Sequence, residues 1–68
     1  MAISEVIKNL RLQLGLQQKT FGDLFNVKPG TVGNWETGRR TPRIPKIKKM
    51  VDIAKEHKIK LTMQDFLK

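Results

Sequence analysis

A run of basic residues between positions 39 and 49 carries the clearest chemical signal in the sequence. It contains six lysines and arginines and no aspartate or glutamate. Over the whole chain of 68 residues, 14 lysines and arginines stand against 6 acidic residues, which gives a formal net charge of +8. Because the summed field of the cations attracts negative charge, this surplus favours a polyanionic partner.

Groups for catalysis or metal binding are sparse. The sequence has one histidine, His57, and no cysteine, so it supplies neither a tetrahedral set of metal ligands nor a disulfide. Its six acidic residues are scattered, and no pair of them shares a face with a credible nucleophile. We therefore expect no enzymatic activity, no metal site and no cofactor.

Apolar residues at helical spacing predict the elements that position the charged groups. They predict a first helix over residues 3–14, which Gly15 ends because glycine readily adopts a left-handed C-cap. A short second helix is predicted over residues 17–25, and a third from Pro29 to about Thr37. The tight turn between them makes a helix-turn-helix of about residues 17–37.

The second half of the chain predicts two further helices, the last of them short. Pro45 fits the first turn of a fourth helix, and Thr62 with Asp65 three residues later resembles the capping box of a fifth. Phe66 and Leu67 lie in this last helix, where they either cover the small core or contact a second copy of the chain. The sequence is thus expected to fold as one all-α domain over residues 1–68.

Three stretches of the chain, residues 10–18, 21–27 and 31–42, together resemble the Cro/CI (XRE) family of phage and bacterial repressors. The most specific part is the pattern Trp-Glu-x-Gly-x-x-x-Pro, which ends at Pro42. The resemblance implies a lambda-repressor-like bundle of four to five helices. It also implies binding to double-stranded DNA at a pseudo-palindromic operator, as a dimer with the third helix in the major groove.

The resemblance assigns base reading to five positions on or next to the third helix. Asn34 can pair bidentately with adenine and Lys28 with guanine, each worth about 1–3 kcal/mol of discrimination. The remaining positions lack hydrogen-bonding side chains, so we expect specificity to lean also on DNA shape and on dimer spacing. The base-reading set is Lys28, Pro29, Gly30, Gly33 and Asn34.

A second group of positions matches residues that contact the DNA backbone in the family. By itself the basic segment is equally consistent with a solvated run of charge, but next to a helix-turn-helix we favour phosphate contacts. The set implied by the resemblance is Gln18, Thr31, Arg39, Arg40 and Arg43.

Four further residues are expected to have structural roles, and the first two of them match an ion pair of the family. Arg11 and Glu36 are expected to form an ion pair that ties the first helix to the third. Trp35 is expected to pack against the core rather than stack on a base. Gly22 stands where the family prefers alanine, because the second and third helices approach each other closely.

The main alternative is a protein-interaction module of the same fold, antitoxin-like or coactivator-like, with weak or no specific DNA binding. Its support is the thin base-reading set and Leu24, an apolar residue where the family usually has a polar one. No leader or membrane-spanning segment is evident, so we expect a cytoplasmic protein. The starting Met1 favours a complete small protein, whose homodimer is weak or forms on DNA.

Overall fold

The computed structural model describes the backbone of residues 3–67 and the side chains of residues 3–66. Within them the chain forms five α-helices and no strand, which confirms the all-α prediction. Their bounds agree with the sequence pattern to within about two residues at each end, the usual spread for helix termini. The helices are α1 (Ile3–Leu14), α2 (Gln18–Leu24), α3 (Pro29–Thr37), α4 (Ile44–Glu56) and α5 (Met63–Leu67).

Left-handed residues end the helices around the helix-turn-helix. Gly15 has a φ of 71°, and the next amide, that of Leu16, donates a hydrogen bond of 3.2 Å to the carbonyl of Arg11. This is the Schellman closure that the sequence predicts. Asn26 ends α2 in the same way with a φ of 58°, and Gly38 ends α3 with a φ of 80°. The left-handed conformation of Asn26 therefore ends α2 and fixes the turn between α2 and α3.

The N-termini of α2, α3 and α4 share a different property, because no side chain caps them. Their N-cap residues are Gln17, Lys28 and Arg43, and none forms a side-chain capping hydrogen bond. Pro29 and Pro45 occupy the first turns of α3 and α4, where a missing amide hydrogen costs nothing. In α3 and α4 the amides of Thr31 and Lys46 donate to the carbonyls of Lys28 and Arg43. The amides left for an outside acceptor are therefore those of the first turn of α2, of Gly30 and of Ile44.

One hydrophobic core joins all five helices. Phe25 lies at its centre: its ring is 4.9 Å from that of Phe21 and 6.2 Å, nearly edge-on, from that of Trp35. Such offset and edge-to-face pairs are the preferred aromatic geometries. The buried residues are Val6, Ile7, Leu10, Phe21, Phe25, Val32, Trp35, Ile47, Met50, Ala54 and Phe66.

The short helix α5 closes this core from one side. The Asp65 carboxylate accepts hydrogen bonds from the Thr62 amide at 2.8 Å and the Thr62 hydroxyl at 3.3 Å, so one half of the predicted capping box is present. Phe66 is 1% exposed, and its side chain covers the core, in agreement with one of the two interpretations of the sequence. The side chain of Leu67 lies outside the described residues.

The sequence leaves open whether Leu24, which shares a stripe with Phe21 and Phe25, belongs to the core or is exposed. In the structure it is 37% exposed. Pro42, in the middle of the basic segment, is buried and anchors that segment to the protein. No helix in the described part of the chain is long and apolar enough to cross a bilayer.

Candidate nucleic-acid interface

The interface is built on the close approach of α2 and α3 around Gly22. A Cβ atom placed on Gly22 would lie 2.7 Å from the carbonyl oxygen of Val27 and 3.3 Å from Cγ2 of Val32. The first distance is shorter than real Cβ atoms show, so a side chain here forces the backbone of the turn to move. Glycine is therefore what allows the turn to fold tightly over α2.

A cluster of polar side chains fixes the inner side of α3. Arg11 of α1 makes a two-pronged contact with the Glu36 carboxylate: Nε to Oε2 at 2.6 Å and Nη2 to Oε1 at 3.1 Å. The third guanidinium nitrogen, Nη1, donates to the carbonyl of Leu16 at 2.9 Å. The two charged side chains are only 14% and 5% exposed. The ion pair implied by the family resemblance is thus present, and it also holds the loop between α1 and α2.

The electrostatics of this cluster keep it charged. The hydrogen bond to Glu36 raises the pKa of the Arg11 guanidinium above its ordinary value, and partial burial opposes that rise. Arg11 therefore remains a cation wherever the protein is folded. Because Arg11 pairs with Glu36 within the cluster, α3 can keep this acidic residue close to the basic segment.

Gln18, at the start of α2, completes the cluster. Its Nε2 donates to Glu36 Oε1 at 3.2 Å, and the same amide lies against α3, because a Cβ on Gly33 would be 3.8 Å from Nε2. The bracing of α3 by Gln18 that the resemblance implies is consistent with this geometry. Its contact with phosphate stays a prediction.

The outer side of α3 carries few large side chains. Lys28, Pro29 and Gly30 are exposed, whereas Thr31, Gly33 and Asn34 are half-buried. A Cβ on Gly30 would meet nothing within 4 Å, so no neighbouring group requires a glycine there. We use the name bare face of α3 for Lys28, Pro29, Gly30, Thr31, Gly33 and Asn34.

The basic segment begins where α3 ends. Its arginines, Arg39, Arg40 and Arg43, are all exposed. The backbone amide of Arg40 donates to the carbonyl of Asn34 at 3.1 Å, which attaches the start of the segment directly to the bare face. Arg43 is the N-cap residue of α4. The three exposed arginines therefore lie in the segment that leads from the end of α3 to the start of α4.

Acidic residues are distributed in the opposite way. The first turns of α1 and α5 contain Glu5 and Asp65, whereas the first turns of α2, α3 and α4 contain none. Helix N-termini carry partial positive charge, so the three helices of the interface add to the field of the arginines. Cations and helix N-termini therefore predominate in this region, although the exposed Asp23 of α2 lies beside Lys28 and Thr31.

One polar contact at this site does not follow from the sequence pattern. Lys46 belongs to the basic segment, whose cations are expected to face solvent or phosphate, but its Nζ donates to the backbone carbonyl of Phe25 at 2.6 Å. The sequence feature that could have indicated this contact is the position of Lys46 in the first turn of α4, where the dipole of its own helix disfavours a cation.

The helices α2 and α3, joined by a tight turn and braced by α1, define a helix-turn-helix protein. A family model described as helix-turn-helix matches residues 7–57. The chain therefore belongs to the XRE, or Cro/CI-like, helix-turn-helix family, and it is a DNA-binding transcription regulator of the XRE type. No curated protein and no solved structure matches the chain.

Proposed function

We propose that the protein is a Cro/CI-like repressor of phage or bacterial origin. It binds a pseudo-palindromic operator as a dimer, with α3 in the major groove of each half-site, and it acts in the cytoplasm of a bacterium or of a phage-infected host. The observation that carries the proposal is the bare face of α3, which the Glu36 cluster braces from the inside and which a segment with three exposed arginines follows.

Backbone contacts supply most of the affinity in this proposal. The arginines Arg39, Arg40 and Arg43 and the polar residues Gln18 and Thr31 contact phosphates, together with the uncapped amides of α2, α3 and α4. If about 6–10 phosphates are contacted per dimer, affinity falls by about 10³–10⁵ between 50 and 200 mM salt.

Base reading is confined to a few positions. Asn34 pairs with an adenine and Lys28 with a guanine, and Pro29 contacts a thymine methyl at most. Gly30 and Gly33 carry no side chain, so the backbone of α3 lies deep in the groove. Helical glycine costs about 1 kcal/mol relative to alanine, and the space around Gly30 gives no reason for it within the protein.

The test compares two variants after selection of a preferred site from random duplexes. Asn34→Ala is expected to remove the preference at one base pair and to leave the salt slope unchanged. Arg43→Ala is expected to weaken binding to all sequences and to lower the slope by about 0.9 for each phosphate that the arginine neutralises. If Asn34→Ala weakens all sequences equally, Asn34 does not read a base.

The exposure of Leu24 favours a second candidate function. An apolar side chain that is 37% exposed on α2 suits a protein-interaction module, antitoxin-like or coactivator-like, that keeps the fold without specific DNA binding. A selection of preferred sites from random duplexes separates the two functions. The repressor yields a preferred sequence, whereas the module yields none, because its cations alone bind all duplexes alike.

A further inference from the structure

Lys46 directs its ammonium group at the end of a neighbouring helix. It lies in the first turn of α4 and is half-buried. Its Nζ donates a hydrogen bond of 2.6 Å to the carbonyl of Phe25, which is the C-cap residue of α2. The last carbonyl groups of a helix have no partner within it, and Lys46 supplies one.

The placement of this cation is explained by α2 and not by α4. A positive charge in the first turn of a helix is disfavoured by the helix dipole, and one at a C-terminus is favoured. The last turn of α2 contains no basic residue, and the first turn of α4 contains no acidic one to balance Lys46. Lys46 therefore provides across space the cation that α2 lacks in sequence.

A second lysine of α4 contacts the same residue. Lys49, about one turn further along, places its Nζ 5.9 Å from the centroid of the Phe25 ring, within the range of a cation–π interaction. Phe25 is fully buried, and its ring packs edge-on against Trp35 of α3. The start of α4 is thus attached to the residue that joins α2 to α3.

From these contacts we propose that Lys46 is a positioning residue for DNA binding. Its backbone amide donates to the carbonyl of Arg43 at 2.9 Å, so hydrogen bonds lead from Phe25 through Lys46 to the exposed arginine that precedes α4. Lys46 holds Arg43 in register with the bare face of α3 and does not itself contact DNA. This inference rests on the proposed function, in which Arg43 contacts a phosphate.

The experiment compares Lys46→Met with Lys48→Met, a change that removes the same charge from an exposed position of α4. Each variant is titrated into a fluorescein-labelled mixed-sequence duplex at several salt concentrations and at a temperature where circular dichroism shows both to be folded. We expect Lys46→Met to bind about tenfold more weakly than Lys48→Met, because pre-organisation of Arg43 is removed. The salt slopes of the two variants should be equal, since the same phosphates are contacted.

Two results would overturn the proposal. Equal affinities of the two variants would mean that Lys46 does not position the arginine. A salt slope that is lower by about 0.9 in Lys46→Met alone would mean that Lys46 itself neutralises a phosphate.

Failure of the proposed function gives a different result, because the unmodified protein would then select no preferred site from random duplexes. In that case amide resonances decide whether the contact exists. Lys46→Met should shift the signals of Asn26 and Arg43, and Lys48→Met should not. Unshifted signals in Lys46→Met would count against the contact itself.

Discussion

At the residue scale, the carboxylate of Glu36 is the most constrained charged group of the interface. It is nearly buried and accepts hydrogen bonds from Arg11 and Gln18. Burial of a carboxylate without a partner lowers the stability of the folded state. Removal of one partner therefore leaves the desolvation free energy of Glu36 uncompensated. The cluster holds three elements, α1, α2 and α3, at one point, because each contributes one side chain.

Replacement of Arg11 by methionine should therefore destabilise the protein severely. We expect a drop of about 3 kcal/mol in the free energy of unfolding, because Glu36 is left as a buried charge with Gln18 as its remaining partner. Arg39→Met, which removes an exposed arginine, is the matched control and should change stability by less than about 0.5 kcal/mol. Urea unfolding of both variants measures the difference.

The double variant Arg11→Met/Glu36→Met checks the mechanism of this destabilisation. It should recover much of the stability, because a buried ion pair replaced by apolar side chains of similar volume is often close to neutral. If the double variant is less stable than Arg11→Met, the buried charge of Glu36 is not the source of the effect.

The residues of this cluster could be predicted from the sequence only in part. The Arg11–Glu36 pair followed from the family resemblance, since both residues stand at matching positions. The bonds from Arg11 to the Leu16 carbonyl and from Gln18 to Glu36 depend on side-chain conformations that spacing along the chain does not specify.

At the scale of elements, the helix bounds were predictable because local signals mark them. Gly15 and Gly38 end two helices in left-handed conformations, and Pro29 begins α3. The exposure of Leu24 and the contact of Lys46 with Phe25 were not predictable in this way. Both depend on the packing of elements that are distant in sequence, which local signals at helix ends do not specify.

The packing of α2 on α3 predicts opposite effects for two glycine substitutions. Gly22→Ala should lower stability by about 1–3 kcal/mol, because its Cβ would lie 2.7 Å from a backbone oxygen. Gly33→Ala, in the middle of α3, should raise stability by about 0.5–1 kcal/mol, because its Cβ makes only an ordinary contact with Gln18 at 3.8 Å. Thermal unfolding measures both.

The two glycine substitutions also test whether α3 inserts deeply into the groove of DNA, as proposed. Gly33→Ala should weaken DNA binding although it stabilises the free protein, because in the proposed complex a methyl group beside Gln18 takes up space between α3 and the DNA. A Gly33→Ala variant that is more stable and binds DNA as tightly as the unmodified protein would contradict a deep insertion of α3. A Gly22→Ala variant of unchanged stability would show that the turn can relax around a methyl group.

At the scale of the whole molecule, the net charge of +8 is divided between two tasks. Arg39, Arg40 and Arg43 are exposed beside α3, whereas Arg11 and Lys46 serve internal contacts. The charge total indicated an anionic partner from the sequence alone. Which cations are free to meet that partner became clear only from the fold, because adjacent residues of one basic segment have different surroundings.

A chain of this size with few base-reading side chains should depend on a second copy for its specificity. We expect the free protein to sediment as a monomer at micromolar concentration, since a stable interface buries about 1,000 Å² or more in total. A duplex with two half-sites should bind two chains cooperatively. Insertion of about five base pairs between the half-sites should abolish that cooperativity, because it moves the second site to the opposite side of the DNA. Equal affinity per half-site in the single-site, original and lengthened duplexes would show that the chains bind independently and that the dimer is not part of recognition.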